Sequence, residues 1–267
     1  MNKGTILLLS VLLLSCQSEK NWSFSHKIAL PETARPLGMA MGEGDLWISD
    51  PENDKILRID QGGDVLEEIT EVYRPMHIDR SDDKLFIPNF YNDAISVYQN
   101  ENIRPLPVDA VFDAPASVSV LDDLIAFADF YNHRTFLLRN GTIFQISQEG
   151  RTDGLLYYPT DVKLYKDKLV VADAYNNRIQ VFDQQGNFIK VIGWQENIRV
   201  ATGVDVFDDK IFVTDYYGGR VLVYDFEGVL LDIFEGQFNK PTDVLVTSDK
   251  FYVANYGENS VSVYTLD

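Results

Sequence analysis

Short runs rich in Val, Ile, Phe and Tyr, separated by Gly, Asn and Asp, recur along most of the chain. This composition and punctuation are typical of β-strands joined by tight turns. One run in each period ends in an acid or an amide, and we call these residues the anchors: Asp50, Asn89, Asp129, Asp173, Asp215 and Asn255. Successive anchors are 39 to 44 residues apart, so the sequence contains six repeats.

Each period predicts four strands. Around Asp173 they are Pro159 to Leu164, Asp167 to Asp173, Arg178 to Phe182 and a run that follows Gly186. Four short strands in about 40 residues indicate one blade of a propeller. We therefore predict an all-β fold, a six-bladed β-propeller built from four-stranded antiparallel blades.

The last period stops after its third strand, and one unassigned strand, Phe24 to Leu30, precedes the first period. Pairing of this N-terminal strand with Val261 to Tyr264 would complete the last blade. It would also leave no open edge between the two ends of the ring. We therefore expect the N-terminal strand to close the propeller.

Composition excludes several classes of protein. The 45% hydrophobic content supplies a core, and a formal charge of −18 argues against nucleic acid as a partner. One cysteine cannot form an internal disulfide, and three histidines without partner cysteines cannot build a zinc finger. We expect a monomer.

The N-terminus has the features of an export signal. Its apolar run, Ile6 to Leu14, is too short for the ~20 residues of a spanning helix. The sequence Leu13-Leu14-Ser15-Cys16 resembles a bacterial lipobox, which implies cleavage and acylation, including palmitate, at Cys16. An ordinary signal peptide with an incidental cysteine is the alternative.

These features divide the chain into a signal peptide (1–15), a lipidated cysteine with a short tether (16–21) and a propeller (22–267). Gln17 stands where some inner-membrane lipoproteins carry Asp, so we expect the outer membrane. The periplasmic and outward-facing leaflets both remain open. Contact with the membrane would be through the lipid alone.

Residues 159–183 contain Pro-Thr-Asp-Val followed by Val-Ala-Asp-Ala-Tyr-Asn-Asn-Arg-Ile-Gln-Val-Phe-Asp. This segment resembles the NHL repeat, and the resemblance extends over residues 34–267, most clearly in the last three periods. The chain is similar to six-bladed NHL-type propeller lipoproteins of Bacteroidetes-like bacteria. Such propellers serve many functions, so the resemblance implies the fold and leaves the activity open.

One repeated position should rim the central channel. It precedes the Val or Ile of each innermost strand and is occupied by Gly38, His77, Ser117, Asp161, Gly203 and Asp243. His77, Asp161 and Asp243 belong to alternate blades, so we expect their side chains to converge. They could bind a divalent metal, Ca or Zn, or act as general acid and base. Alternatively, they are ordinary caps of the loops that lead into the strands.

Two enzyme families with propeller folds were compared at this position. The amidating lyases hold zinc with histidines from three blades, whereas here only Pro75-Met76-His77-Ile78 approaches that motif. The gluconolactonase and paraoxonase propellers hold calcium with Glu, Asn and Asp, and no matching set stands out. No cofactor is therefore assigned with certainty.

Aromatic residues follow most anchors and share the face of the loops that lead into the innermost strands: Tyr91, Tyr131, Tyr175, Tyr217 and Tyr256. Exposed rings beside Asn amides would suit a glycan or a protein partner, whereas rings packed between blades would be structural. His133 and Trp194, on loops, complete the candidate ligand-binding set. The anchors and the basic residues five positions later, Lys55, Arg134, Arg178 and Arg220, are expected to be structural pairs.

The leading hypothesis is a lipid-anchored binding or scaffolding propeller of the cell envelope that recognises a glycan, peptide or protein. The alternative is a metal- or acid/base-dependent lyase or hydrolase with its site at the channel mouth. No phosphate loop, Ser-His-Asp order or cysteine nucleophile appears in the sequence.

The lipobox makes a direct prediction. Cys16→Ala should move the protein from the membrane fraction to the soluble fraction without unfolding the propeller, because only the acylated residue is lost. Detergent-phase partitioning measures the first effect and circular dichroism the second. Unchanged partitioning of the variant would contradict the lipid anchor.

Overall fold

The computed structural model describes residues 21–266 and consists of six four-stranded antiparallel sheets. The predicted six-bladed propeller is therefore confirmed. The helical structure in this range is one 3₁₀ turn, Ala174–Asn176. Within the described residues, no helix is long and apolar enough to cross a membrane.

The described residues begin with one separate strand, which is followed by the first three blades in order. The separate strand is β1 (Trp22–Ala29). Blade 1 contains β2 (Met39–Met41), β3 (Leu46–Asp50), β4 (Lys55–Ile59) and β5 (Val65–Ile69). Blade 2 contains β6 (Asp79–Ser81), β7 (Lys84–Asn89), β8 (Ala94–Gln99) and β9 (Asn102–Pro105). Blade 3 contains β10 (Pro115–Leu121), β11 (Leu124–Asp129), β12 (Arg134–Arg139) and β13 (Thr142–Ile146).

The second half repeats the same order. Blade 4 contains β14 (Pro159–Tyr165), β15 (Lys168–Asp173), β16 (Arg178–Asp183) and β17 (Phe188–Ile192). Blade 5 contains β18 (Ala201–Phe207), β19 (Lys210–Asp215), β20 (Arg220–Asp225) and β21 (Leu230–Glu235). Blade 6 contains β22 (Pro241–Val246), β23 (Lys250–Asn255) and β24 (Ser260–Leu266), and its fourth strand is β1.

The ring is closed by β1, as the sequence predicts. This strand pairs antiparallel with β24 from Trp22 opposite Leu266 to Ala29 opposite Ser260. On its inward face Ile28 is 2% exposed and belongs to a core cluster that joins blade 6 to blade 1 through Leu46 and Val261. Closure therefore rests on both a hydrogen-bonded ladder and apolar burial.

The anchors are buried, and each one accepts a backbone N–H from the loop that leads into its own blade. In blade 4 the Asp173 carboxylate accepts from Tyr157 N at 2.7 Å, and in blade 2 the Asn89 amide oxygen accepts from Tyr73 N at 2.9 Å. The other four make the same bond 15 or 16 residues back along the chain: Asp50, Asp129, Asp215 and Asn255. The anchor thus holds the connection between blades against the sheet.

Three of the expected acid–base pairs are confirmed. Arg134, Arg178 and Arg220 contact the anchor carboxylates of their blades at 2.8 to 2.9 Å. The expectation was wrong for Lys55, which pairs with Glu68 at 3.2 Å. Lysine lacks the planar fork that lets arginine reach an anchor and the loop carbonyls together.

Closure by β1 predicts a large cost for one substitution. Ile28→Ala should lower the free energy of unfolding by about 2–5 kcal/mol, because it leaves a cavity between blades 6 and 1. Ser25→Ala, on the exposed face of the same strand, should change it by no more than about 0.5 kcal/mol. Urea unfolding of both variants measures the difference, and equal stabilities would contradict closure through this contact.

Candidate functional site

At the repeated position that rims the channel, small residues alternate with larger polar residues from blade to blade. A Cβ atom on Gly38 of blade 1 would lie 2.5 Å from the Cα of His77, and one on Gly203 of blade 5 would lie 2.6 Å from the Cα of Asp243. In blade 3 the small residue is Ser117, whose hydroxyl donates to Asp161 Oδ1 at 2.6 Å. The small residues therefore let the inner strands approach closely and leave the axis to the larger side chains.

The structure brings His77, Asp161 and Asp243 together at the axis, and we call these three residues the trio. His77 Nδ1 lies 3.7 Å from Asp161 Oδ2 and 3.6 Å from Asp243 Oδ1. One possible ligand atom of each residue lies within 4.8 Å of the other two. All three residues are 4–5% exposed.

The two carboxylates of the trio also link neighbouring blades. Asp161 accepts the N–H of Val162 with Oδ1 and the N–H of Val204, in the next blade, with Oδ2, both at 2.8 Å. Asp243 accepts from Val244 at 2.9 Å and from Met39 of blade 1 at 2.7 Å. Convergence and loop capping, the two alternatives from sequence, thus occur in the same side chains.

The Nδ1 atom of His77, in contrast, has no hydrogen bond. It is one of two buried side-chain polar atoms in the described residues that have no hydrogen-bond partner. Burial opposes a charge on the ring, but attraction from Asp161 and then Asp243 outweighs it and raises the pKa of His77. Burial raises the pKa of Asp161, against the attraction of His77 and together with the repulsion of Asp243.

A second polar ring lies two residues further along the inner strands, and sequence analysis missed it. This lower ring contains Asp79, Lys163 and Asp205, with Lys163 Nζ 2.9 Å from Asp205 Oδ1. Although burial opposes the ammonium charge, Asp205 and Asp79 raise the pKa of Lys163. Strand alternation was the available signal, because residues i and i+2 of one strand share a face.

The trio and the lower ring line one small cavity on the axis. Its volume is about 20 Å³, which is room for one or two water-sized occupants. A sugar ring or an amino-acid side chain does not fit between the two rings. Any larger molecule bound near the channel mouth must therefore lie above the trio.

Above the trio is a wide concave surface of about 560 Å³, which we call the aromatic bowl. Its floor includes Met76, Thr160 and Thr242, the residues that precede the trio in sequence. Its wall contains all five predicted tyrosines together with Phe90, Phe130 and Tyr216. Four of the tyrosines are 51–65% exposed: Tyr91, Tyr131, Tyr175 and Tyr217.

The polar groups around the bowl are largely engaged. Arg74, the one charged residue among the described residues that line it, donates to the Tyr91 hydroxyl at 2.9 Å and pairs with Glu52 at 3.2 Å. The amides of Asn132 and Asn176, which follow Tyr131 and Tyr175, donate to their own anchors at 2.9 and 2.8 Å. These two asparagines therefore stabilise turns, whereas Asn92, which follows Tyr91, is exposed.

Two predicted residues lie outside the bowl. His133 stacks on Tyr157 with ring centroids 4.9 Å apart, and its Nδ1 accepts the N–H of Tyr158 at 3.1 Å. Trp194 is 72% exposed and lines a separate open groove, which shares Tyr217 with the bowl. His133 thus has a packing role, and Trp194 lies beside the bowl in the neighbouring groove.

Comparisons with known proteins agree on the architecture. The sequence model of one family, DUF5128, described as a 6-bladed beta-propeller, matches residues 144–233. No curated protein sequence matches the chain.

Three solved structures illustrate the range of similar proteins. A protein of unknown function from Bacteroides thetaiotaomicron has a TM-score of 0.74 at 11% identity, covering 93% of this chain and 76% of that one. A gluconolactonase from Xanthomonas campestris has a TM-score of 0.73 at 15% identity, covering 94% and 91%. A virginiamycin B lyase from Staphylococcus aureus has a TM-score of 0.69 at 14% identity, covering 92% and 100%. At these identities the similarity shows the fold alone.

The close approach at Gly203 makes a prediction about the trio. Gly203→Ala should lower the free energy of unfolding by about 1–3 kcal/mol, because its Cβ would lie 2.6 Å from both Asp243 Cα and Thr242 O. These are backbone atoms, so relief requires the two inner strands to separate.

Gly62→Ala is the matched control, because its new Cβ would meet only the terminal Asp60 Oδ1, at 3.2 Å. Thermal and urea unfolding should leave this variant within about 0.5 kcal/mol of the wild type. If Gly203→Ala were equally stable, close strand contact would not be what holds Asp243 at the axis.

Proposed function

We propose that this protein is a binding propeller whose aromatic bowl docks a polypeptide segment of a partner protein. The observation that carries the proposal is the set of four tyrosine rings that remain more than half exposed around one concavity. Rings with a packing role alone would be buried between blades. Tyrosine is enriched at protein interfaces, where its rigid ring supplies large contact area at low entropic cost.

The chemistry of the bowl favours a peptide over a glycan. Carbohydrate sites place free amide or carboxylate groups beside the aromatic rings, but the amides of Asn132 and Asn176 serve the anchors. The hydroxyls of both floor threonines are also hydrogen-bonded within the protein, since Thr160 donates to Ala201 O at 3.0 Å and Thr242 to Pro36 O at 3.1 Å. The remaining surface is aromatic and aliphatic, with Leu37, Met76 and Val200 between the rings.

The net charge of the protein indicates which charge its partner should carry. The chain has 41 acidic and 23 basic residues, and Arg74, the charged residue that lines the bowl within residues 21–266, is paired with Glu52. A negative field of this size attracts cations and repels acidic segments. We therefore propose a segment that combines aromatic or aliphatic side chains with net positive charge.

The alternative function, a metal- or acid/base-dependent lyase or hydrolase, has less support. The trio is the convergent set available for such chemistry, and it is 4–5% exposed above a cavity of about 20 Å³. A substrate would have to reach these groups through the bowl floor. The similar lyase and gluconolactonase folds add no evidence for catalysis at 14–15% identity.

We also propose that the propeller is held at the cell envelope by a lipid on Cys16, a residue outside the described range. Strand β24 begins at Ser260, just after the bowl residue Tyr256, and ends at Leu266, which pairs with Trp22. Trp22, the first residue after the proposed tether, therefore lies on the face opposite the bowl. An anchor there would leave the bowl pointing away from the membrane.

Peptide binding at the bowl can be tested with displayed random peptides panned against the purified full-length protein. A peptide enriched in this way should bind Tyr175→Ala and Tyr217→Ala at least tenfold more weakly, a loss of about 1.4 kcal/mol for each variant. Fluorescence polarisation of the labelled peptide measures the dissociation constants.

Phe144→Ala is the matched control, because it removes an exposed ring from the outer strand of blade 3, far from the bowl. Its affinity should stay within about twofold of the wild type. Equal binding by all three variants would refute the bowl as the site. Binding to an immobilised glycan that is lost in the two tyrosine variants would replace the peptide with a carbohydrate.

A further inference from the structure

We propose that the trio of His77, Asp161 and Asp243 holds one zinc-class divalent ion, which ties blades 2, 4 and 6 together on the propeller axis. This inference does not depend on what binds in the bowl. It rests on the donor set, on the distances between the donors, on an unsatisfied buried nitrogen and on a contrast with the lower ring.

The donor set suits zinc or a similar transition metal. One imidazole nitrogen and two carboxylate oxygens are ligands that zinc takes in proteins, with a fourth position open to water. Calcium prefers six to eight oxygen ligands and rarely takes nitrogen. The imidazole of His77 therefore selects against calcium, which the sequence alone left as an equal possibility.

The two distances from His77 are close to those of a metal site, and all three donor atoms lie within 4.8 Å of one another. Ligands at about 2.0–2.2 Å in a tetrahedral arrangement lie about 3.3–3.6 Å from one another. His77 Nδ1 is 3.6 Å from Asp243 Oδ1 and 3.7 Å from Asp161 Oδ2. Small rotations of the side chains would bring the three donors into coordination range. A direct hydrogen bond would need a shorter separation than either of these.

His77 supplies the second, independent observation. Its Nδ1 is buried, points at both carboxylates and has no hydrogen-bond partner. Buried polar atoms are normally paired, and each exception calls for an explanation. A metal bound to Nδ1 satisfies the nitrogen and both carboxylates together.

The carboxylates are already oriented for this role. Backbone N–H groups donate to both oxygens of Asp161 and to both oxygens of Asp243. The Ser117 hydroxyl also donates to Asp161 Oδ1, at 2.6 Å. Such outer contacts fix the direction of metal ligands and are a regular part of metal sites.

The lower ring shows what the same arrangement looks like when a side chain supplies the cation. There Lys163 Nζ lies 2.9 Å from Asp205 Oδ1 and also attracts Asp79. The trio has the same pair of carboxylates and only an imidazole in the place of the ammonium. A divalent ion would balance the charges of both trio carboxylates.

The geometry favours a structural ion over a catalytic one. The cavity of about 20 Å³ admits an ion and a water molecule but no organic substrate. The ligands come from three alternate blades, so one ion would cross-link half of the ring. Binding should therefore raise the melting temperature and leave peptide binding in the bowl unchanged.

Zinc titration of the purified, chelator-treated full-length protein tests the site. One zinc ion per chain should bind, and at about 100 times the dissociation constant the melting temperature should rise by about 5–10 °C. Cobalt should replace zinc and give visible absorption bands typical of a nitrogen–oxygen site. His77→Gln and Asp161→Asn should each weaken zinc binding at least tenfold and abolish the shift in melting temperature.

His26→Gln is the matched control, because His26 is exposed on β1 and lies outside the trio. It should keep both the stoichiometry and the thermal shift. The cobalt spectrum of the unmodified chain tests the site even if a trio variant fails to fold. Zinc binding that survives in both trio variants, no thermal shift with zinc, or a shift produced by calcium in place of zinc would overturn the proposal.

Discussion

In every blade, a buried acid or amide at the end of the second strand accepts the backbone N–H of the loop that leads into that blade. The other hydrogen-bond partners of each anchor depend on whether the anchor is an acid or an amide. Asp129, Asp173 and Asp215 each pair with an arginine, which also donates to a carbonyl of the same loop. Asn89 and Asn255 donate instead to serine hydroxyls. Asp50 has no arginine partner, and its two oxygens accept from the amide of Asn53 at 3.0 and 2.8 Å. A buried charge without such compensation would be costly.

This interaction explains why the fold could be predicted from the sequence. Each blade needs an acid or an amide at the same place, so the anchors recur every 39 to 44 residues. This period is recognisable in the sequence even where the other side chains differ between blades. The closing role of β1 was equally accessible, because the last period lacked one strand. The trio was found for the same reason, since a repeated position in a ring of blades occupies a known place.

Other parts of the site depend on the direction in which a side chain turns, and the repeat carries little information about this. Asn132 and Asn176 stand beside exposed tyrosines in sequence, yet their amides turn back to the anchors. His133 stacks on Tyr157, 24 residues away in the chain, and this contact removes it from the bowl. The lower ring of Asp79, Lys163 and Asp205 lies two residues beyond the trio position, so strand alternation indicates its face, but the contact between Lys163 and Asp205 is visible only in the structure.

Closure by β1 also has a consequence for the order of folding. Blades 1 to 5 are each made of consecutive strands, so their pairing is local and each can form soon after its own residues are available. Blade 6 joins β1 to β24, the first and last strands of the described residues, and one contact across this joint, between Lys27 and Glu258, spans 231 residues. Contacts of this length are formed late and slowly, because the entropy of bringing the ends together is lost first. Strand β1, which is synthesised before β2 to β24, must therefore wait for β24, and until then its backbone edge stays available to other chains.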